Sequence, residues 1–530
     1  MTEREDPGIS AIPLIRSHVE LAIGSAEEGI RWGDRAIDIV ERRRLGEGDD
    51  EIRMKGDANY AASYQVYISD LLDRDATNRR YLEKAWRVSE QLRARVLLET
   101  LLSRASPDPA RSQIPELTAV RASLRSDEAL VSFMVWAPSL SGPIPFVGGH
   151  SWALVLTRND LQAVRFAPGA ILEPAVRAFS RLEGERTPRI QPGARRLYDE
   201  ILRPVLDVLP SEVRSLIIVP DGPLHALAFD ALSATDRGPY VAERYAISIV
   251  PSASVWHRLR NRAPLAAGLA LAFANTPEGR AIRTAETRGE IASGQLGALL
   301  HAREEAQDAV EAFPPGSRLL FGVDATPDRL TPSELTRASL VHFAAHGVAN
   351  ARDPDQSFLL LAPAPGRSGI LRIADVRRFD WTGKTVVLSA CDTSLGAYRV
   401  GEGVLSLARG FFASGASTVI GTLSRVRDDD QRALFHTFYS ELRKGVAVGE
   451  AMSTAKRTLI RAGAPPAAWA NVIVMGDSTV RPRVPDGHRS LLAGLSIAGA
   501  ATAAALTIGL GVRSRRRNRP RRSAGDTTSA

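Results

Sequence analysis

From about residue 116 onward, short apolar runs alternate with helix-like stretches, and this pattern constrains the fold more than any other feature of the chain. Several runs, such as SLIIV at 215–219 and TVVLS at 385–389, are continuously apolar and do not alternate with polar residues. Strands of this kind are buried on both faces, as in a sheet covered by helices. The pattern therefore predicts an α/β fold with a mostly parallel sheet between helices.

Ten segments carry this strand pattern. They are LVSFMVW at 130–136, SWALVLT at 151–157, SLIIVP at 215–220, ISIVP at 247–251, ALAFA at 270–274, RLLFG at 318–322, LVHFAAHG at 340–347, TVVLSAC at 385–391, STVIGT at 417–422 and NVIVMG at 471–476. Parallel strands gather their catalytic and ligand-binding groups beyond their carboxyl ends, so those ends are where a site is expected.

The first 115 residues have a different, helical pattern. Apolar residues recur there at steps of three and four, and the run at 81–102 predicts a single amphipathic helix. No regular repeat of 34 residues is present, so residues 1–115 are interpreted as a degenerate tetratricopeptide-like pair or as a simple helical bundle. Three prolines within 106–115 end this region.

Cysteine usage and charge argue against a disulfide-bonded, a secreted or a nucleic-acid-binding protein. Cys391 is the only cysteine, so no intrachain disulfide forms, and the polar, acidic start MTEREDPGIS does not resemble a secretory signal. The formal net charge is +8, but residues 513–522 alone contribute seven arginines. Most of the excess positive charge therefore lies in the C-terminal tail, and nucleic-acid binding is not expected.

Residues 491–512 form a run of 22 residues without a charge, which is long enough to cross a bilayer. We predict a transmembrane helix here, between a linker at 481–490 and the Arg-rich tail at 513–530. A buried helix rich in Ala and Gly is one alternative, and a helix lying on an anionic leaflet is another.

The orientation of this span is predicted from two opposing features. The arginines after the span favour a cytoplasmic tail, whereas the large preceding part has no export signal. We expect a single-pass membrane protein with its folded part in the cytoplasm and its last helix inserted after synthesis.

His346 and Cys391 end two of the predicted strands, in LVHFAAHG and TVVLSAC. A thiolate attacks a carbonyl, and an imidazole tunes the thiol and protonates the leaving amine, so these residue types suit peptide cleavage. Gly347 allows close approach of the backbone, because it has no Cβ. Taken alone, a Cys or His at a strand end is more often a packed core residue, and His342 in mid-strand is interpreted as one.

Six segments together resemble the CHAT family of caspase-like, separase-related cysteine peptidases, which are often fused to tetratricopeptide-type helices. They are SLIIVPDGPLHALAFDAL, LVHFAAHGVAN, SFLLLAP, LSACDTSLG, GEGVLSLARGFFASGASTVIGTL and AWANVIVMGD. The resemblance covers about 116–477, so residues 116–480 are assigned to a CHAT peptidase domain.

The resemblance implies a His–Cys dyad of His346 and Cys391, with the oxyanion held by the backbone amides of Gly347 and Cys391. It also implies that Glu402 and Gly403 form the structural GEG turn of the family. It implies no cofactor and no metal.

Three acidic residues are candidates for the specificity pocket. In relatives that cleave after basic residues, an acid follows the strand after the catalytic Cys, and Asp428 and Asp430 match that place. The equal alternative is that this acidic run starts a helix. Asp392, beside the nucleophile, is a weaker candidate, and Ser424 stands where the family usually has tryptophan.

The sequence thus predicts a membrane-tethered cysteine endopeptidase that cleaves a specific protein partner and is regulated by another protein. The alternative is a catalytically inactive CHAT scaffold at the membrane. A third class is a membrane-active effector that perturbs the bilayer through oligomerised terminal helices. The sequence specifies no oligomeric state.

Overall fold

The structure, a computed structural model, describes most of the first 482 residues. The described ranges are 11–45, 50–105, 114–136, 149–183, 193–236, 238–263, 265, 268–275, 299–348, 350, 354–389, 396–399, 401–424 and 426–482. The chain divides into two compact units, Met1–Arg483 and Val484–Ala530. The second unit, with the predicted span at 491–512 and the tail at 513–530, lies outside these ranges. Among the residues described, no helix has both the length and the apolar character of a membrane span.

The first five helices lie within the predicted helical region. They are α1 (Ala11–Ile23), α2 (Ala26–Leu45), α3 (Asp50–Asp75), α4 (Arg79–Leu92) and α5 (Arg95–Ala105). Helix α1 packs against α2 and α3, and α3 packs against α4. The side chain of Asn78 caps α4 by accepting a hydrogen bond from the amide of Arg80.

Twelve further helices follow. They are α6 (Leu117–Ala122), α7 (Gly169–Glu183), α8 (Ala194–Leu197), α9 (Arg203–Leu206), α10 (Val241–Arg244), α11 (Ala253–Arg260), α12 (Ala302–Glu311), α13 (Pro332–Arg337), α14 (Ile373–Val376), α15 (Leu407–Ala413), α16 (Asp428–Arg443) and α17 (Val448–Arg461). A π-helical turn, Tyr198–Leu202, joins α8 to α9. Short 3₁₀ turns occur at Gly222–Ala226, Phe229–Ala231, Gly322–Asp324, Pro327–Arg329, Pro354–Gln356 and Pro466–Ala468.

Eleven strands form the main sheet. They are β1 (Glu128–Met134), β2 (Ser151–Thr157), β3 (Leu161–Phe166), β4 (Ser215–Val219), β5 (Ala246–Ile249), β6 (Leu269–Ala274), β7 (Arg318–Phe321), β8 (Ala338–Ala344), β12 (Thr385–Ser389), β15 (Thr418–Thr422) and β16 (Val472–Gly476). A small sheet contains β9 (His346–Val348), β10 (Phe358–Leu360) and β11 (Ile370–Arg372), and β13 (Gly396–Arg399) pairs with β14 (Gly403–Ser406) as a hairpin.

The main sheet contains two parallel blocks that run in opposite directions, and β2 and β3 extend one end of it in antiparallel pairing. Its order is β3-β2-β1-β4-β5-β16-β15-β12-β8-β6-β7. Strands β1, β4, β5 and β16 are parallel neighbours, as are β15, β12, β8, β6 and β7, and the blocks meet at the antiparallel β15–β16 pair. The carboxyl ends of β6, β8, β12 and β15 therefore lie along one edge.

Both faces of the sheet are buried, as the continuous apolar runs predicted. In β1, Val131 and Phe133 belong to the larger core, while Leu130 and Met134 face a second core that includes Trp86 of α4. This alternation follows from the period of two along a strand. The N-terminal helices thus cover one face of the first parallel block.

All ten predicted strands are present, and the mostly parallel α/β fold is confirmed. The single helix predicted for 81–102 is wrong, because the chain turns between Leu92 and Arg95. Ala94 there has φ +48°, and its amide donates to the carbonyl of Gly401 at 2.7 Å. Apolar periodicity continues through both helices and carries no sign of this distant contact.

Candidate active site

The two strands that lead to the predicted dyad are adjacent. Strand β8 pairs in parallel with β12, and the register ends with Ala344 beside Ser389. His346 follows Ala344 by two residues, and Cys391 follows Ser389 by two residues. The strands that precede the two residues in sequence therefore end at the same edge, where parallel sheets hold their catalytic groups.

His346 begins strand β9 and is 6% exposed. Its register partner is Leu360 in β10, and the next pair joins Gly347 to Leu359. The small sheet therefore fixes the backbone of both residues directly after β8. Gly347, the predicted oxyanion donor, is half-buried at this edge, and its role stays a prediction.

Cys391 and Asp392 lie outside the described residues, as does the rest of 390–395. The nucleophile, its oxyanion amide and the pocket role of Asp392 therefore stay predictions. The described chain stops at Ser389, which is 5% exposed, and begins again at Gly396 in β13.

Asn275 is a residue of this edge that sequence reasoning missed. It follows the last residue of β6, is 4% exposed, and its amide donates to the carbonyl of Ala344 at 3.0 Å. Its side-chain nitrogen donates to the carbonyl of Leu360 at 3.3 Å. Asn275 thus ties β6 to the end of β8 and to the register partner of His346. The sequence could have marked Asn275 as a residue of the site only through its position directly after a buried apolar run.

His342 is a buried core residue, as interpreted from its mid-strand position. It is fully buried, and its Nδ1 lies 2.7 Å from the hydroxyl of Tyr439 on α16. Burial lowers the pKa of His342 to about 3, so its ring is neutral at physiological pH. The two histidines of LVHFAAHG therefore have different surroundings.

Asp428 and Asp430 both lie in the first turn of α16 and are half-buried. A carboxylate oxygen of Asp428 accepts a hydrogen bond from the amide of His301 at 2.7 Å, and His301 Nε2 lies 2.7 Å from Asp429. Acidic residues in the first turn also stabilise the helix dipole. The acidic run thus lies in the first turn of α16, but its contacts go to His301, and no described side chain caps the start of α16. The pocket role stays a prediction.

The GEG turn joins this region to the N-terminal helices. Gly401 and Gly403 have φ +83° and +81°, which favour glycine. Glu402 is 1% exposed, accepts a hydrogen bond from the amide of Val96 at 2.9 Å, and forms an ion pair with Arg409. These contacts give the turn the structural role expected from the sequence.

Comparison with known families identifies the chain. The model of the CHAT domain matches residues 191–477, which is more than half of the chain. The chain belongs to the CHAT-domain family. The matched part of this CHAT chain includes both predicted dyad residues, and the match confirms the resemblance drawn from the six sequence segments.

Curated relatives of this CHAT chain are much longer. Human tetratricopeptide repeat protein 28 is 25% identical over 349 residues, which cover 58% of this chain and 14% of that protein. The mouse protein of the same name is 25% identical over 371 residues, or 61% of this chain and 15% of the relative. The chain therefore spans about one seventh of the length of these relatives.

Two solved structures overlap with this CHAT chain at low similarity. A chain of the Saccharomyces cerevisiae separase–securin complex aligns with TM-score 0.47 and 12% identity, over 84% of this chain and 37% of that one. The Arg-specific cysteine proteinase gingipain R aligns with TM-score 0.34 and 11% identity, over 55% and 67%. Both alignments are too distant to transfer an activity to this chain.

Proposed function

We propose that this CHAT-family chain is a membrane-tethered cysteine endopeptidase that cleaves a specific protein partner. Cys391 is the nucleophile, and His346 is its acid–base partner. The observation that supports this most is the parallel register of β8 and β12, which end side by side two residues before His346 and Cys391. The only cysteine in the sequence follows the last residue of β12 by two positions.

The proposed reaction follows from the chemistry of the two groups. His346 accepts the thiol proton, and the thiolate attacks the carbonyl carbon of the scissile peptide bond. Backbone amides at Gly347 and Cys391 stabilise the oxyanion. The C–N bond then breaks as the imidazolium protonates the leaving amine, and water hydrolyses the thioester to release the acid and the free thiol.

Regulation by a protein partner is proposed through the N-terminal helices. The turn between α4 and α5 contacts the segment that follows Cys391, since Ala94 bonds to Gly401 and Val96 bonds to Glu402. A partner that shifts these helices would therefore act on the chain that leads away from the nucleophile. We propose that the helices bind the regulator or the substrate.

The membrane tether is proposed from the uncharged run at 491–512 and the arginines after it. In this arrangement the peptidase domain remains in the cytoplasm and acts close to a membrane. A preference for Arg or Lys before the scissile bond is proposed for Asp428 or Asp430, because a carboxylate pairs with a basic side chain.

An electrophilic peptide probe tests the proposal, because Cys391 is the only thiol of the chain. We expect intact-mass analysis of the full chain to show one probe adduct in the wild type and none in Cys391→Ala. His346→Ala should react ~100-fold more slowly or worse, since it lacks the acid–base partner. Probes with Arg, Lys or an apolar residue before the reactive group test the specificity proposal in the same assay.

His150→Ala is the matched control, because it makes the same chemical change at a half-exposed histidine beside Asp73. His150 precedes β2, which lies seven strands away from β8 in the sheet order. This variant should be labelled at the wild-type rate. A wild type without an adduct would support the inactive scaffold and overturn the peptidase proposal.

A further inference from the structure

A polar cavity of about 790 Å³ lies at the first residues of strands β4 and β5 and at the first turn of helix α17. Four arginines line it, and they are Arg125, Arg214, Arg244 and Arg457. The described lining contains no residue of β8, β9 or β12, so the cavity shares nothing with the strands that lead to the predicted dyad. Guanidinium groups around one cavity suit an anionic ligand, because each can donate two parallel hydrogen bonds to it.

Three of these arginines form no ion pair with an acid among the described residues. Arg214 and Arg457 donate to backbone carbonyls, and the guanidinium of Arg244 lies 5.0 Å from the ring centre of Tyr245. Burial and the charge of Arg461 lower the pKa of Arg457, against smaller opposite effects of nearby acids. The positive charge at this wall of the cavity is therefore only partly compensated by the protein.

Two of the three acidic residues at the cavity already have partners. Asp127 pairs with Arg125 at 3.1 Å, and Glu243 accepts a hydrogen bond from the amide of Tyr240 at 2.7 Å. The third acid of the described lining is Glu450, which is exposed in the first turn of α17. A carboxylate beside guanidinium groups suits a ligand that carries hydroxyl groups next to its anionic group, because a carboxylate only accepts hydrogen bonds.

Ser453 adds a polar group that has no protein partner. It follows Glu450 by three residues, so both side chains lie on one face of α17. Ser453 lines the cavity and is 7% exposed, and its hydroxyl has no hydrogen-bond partner among the described residues. A buried hydroxyl without a partner is costly, and an oxygen of a ligand in the cavity would satisfy it.

The position of the cavity along the chain indicates a source for the ligand. Ser478 and Thr479 line the cavity, and the uncharged run proposed as a membrane span starts at Leu491, twelve residues further along the sequence. The reach of so short a linker limits how far a tethered cavity can be from a bilayer surface. Lipid headgroups are therefore the phosphate compounds to which the cavity of a tethered chain is most exposed.

We propose that this cavity binds the phosphate of an anionic lipid headgroup. Arg214, Arg244 and Arg457 supply the positive charge, and Ser453 and Glu450 contact the hydroxyl groups of a headgroup such as glycerol or inositol. The lipid source rests on the proposed membrane tether, whereas binding of the phosphate group does not. Headgroup binding fixes the orientation of the peptidase domain at the bilayer, which a flexible tether alone leaves free.

Binding is measured on the full chain in a non-ionic detergent, with four soluble probes. They are dihexanoyl phosphatidylglycerol, dihexanoyl phosphatidylcholine, glycerol phosphate and inorganic phosphate. We expect phosphatidylglycerol and glycerol phosphate to bind. Phosphatidylcholine should bind ~10-fold more weakly or worse, because its choline is a cation beside the arginines and offers no hydroxyl group.

Two variants and a control locate the binding. Arg244→Gln combined with Arg457→Gln should weaken phosphatidylglycerol binding ~10-fold or more, since two charged donors are lost. Ser453→Ala should weaken it about 3- to 10-fold and leave the urea midpoint of unfolding unchanged, because no protein hydrogen bond is broken. The control, Arg177→Gln combined with Arg378→Gln, removes two exposed arginines outside the cavity and should keep binding within about twofold.

The site is overturned if the double variant in the cavity and its control bind phosphatidylglycerol equally, or if phosphatidylcholine binds as well as phosphatidylglycerol. If the double variant does not fold, Ser453→Ala and Arg244→Gln alone decide in the same way. Binding of glycerol phosphate without phosphatidylglycerol would overturn the lipid source and assign the cavity to a soluble phosphate compound. The probes need no bilayer, so a failure of the proposed tether would leave these results unchanged.

Discussion

Two histidines four residues apart on one stretch of chain have acquired different surroundings. His342 lies within β8 and is enclosed by Tyr439 and Glu305, whereas His346 lies beyond the strand at the edge of the sheet. The sequence distinguishes them through the following Gly347 and through the end of the apolar run. It does not reveal the partners of His342, because they come from helices 37 and 97 residues away.

His342→Ala should lower the free energy of unfolding by about 2–4 kcal/mol at pH 7, since it leaves a cavity and removes a buried hydrogen bond. The pKa of His342 is lowered to about 3 in the folded chain, so the unfolded chain binds this proton more readily below pH 6.5. The contribution of His342 is therefore present above pH 6.5 and is lost as the pH falls towards 3.

Urea unfolding at pH 7 and pH 5 measures this effect. The difference in unfolding free energy between the wild type and His342→Ala should be about 2 kcal/mol smaller at pH 5 than at pH 7. His150→Ala should change the unfolding free energy by less than about 1 kcal/mol at both values. A difference for His342→Ala that does not depend on pH would contradict the burial of a neutral ring.

At the scale of elements, long apolar runs were predictable and contact-dependent elements were not. All ten predicted strands are present, because burial on both faces leaves a clear pattern. The small sheet of β9, β10 and β11 was missed, since strands of three residues show no period. The turn at Ala94 was missed because its cause, the carbonyl of Gly401, lies about 300 residues away.

The candidate site, like the secondary structure, was predictable where it follows from long apolar runs and not where it depends on distant contacts. The strand ends beside Ala344 and Ser389 could be expected from two buried runs that end in polar groups. The hydrogen bonds of Asn275 could not, because its place after a buried run marks a strand end but does not reveal its partners, Ala344 and Leu360. Only the folded chain brings these partners to Asn275.

The turn between α4 and α5 depends on Glu402, and Glu402→Ala should show this. The substitution leaves the largely buried Arg409 without its ion pair and the amide of Val96 without its acceptor. We expect a loss of about 3–5 kcal/mol in unfolding free energy, as for other buried pairs that lose one partner. Urea unfolding measures it.

Glu173→Ala is the control for Glu402→Ala, because it breaks an exposed Glu–Arg pair on α7. Such a pair contributes less than about 1 kcal/mol. Equal losses in the two variants would show that the GEG turn does not anchor the N-terminal helices.

At the scale of the whole molecule, the N-terminal helices are part of the same compact unit as the sheet. Trp86 of α4 belongs to one hydrophobic core with residues of β1, β2 and β4. Glu90 on the same helix accepts hydrogen bonds from the amide and hydroxyl of Ser254 at 2.7 and 2.6 Å. These buried contacts are the route by which we propose that a regulator bound to the helices acts on the sheet.

Removal of residues 484–530 tests the proposed tether, since this deletion ends the chain at the boundary of the first compact unit. We expect the shortened protein to move from the membrane fraction to the supernatant, because the uncharged run at 491–512 is lost. Its labelling by the peptide probe should equal that of the full chain. A matched chain with 513–530 replaced by Gly and Ser separates the span from the arginines.

Retention of the 484–530 deletion in the membrane fraction would contradict the tether. Loss of probe labelling with retained folding would instead favour a bilayer-dependent activity, as expected of a membrane-active effector.

We propose that Cys391 and His346 together cleave a protein partner. Newly formed protein N-termini can be compared in cells that express the wild type, Cys391→Ala, His346→Ala or the control His150→Ala. We predict a small, shared set of new N-termini in the wild type and the control, and none of that set in the two dyad variants. The same new N-termini in the Cys391→Ala cells would contradict it.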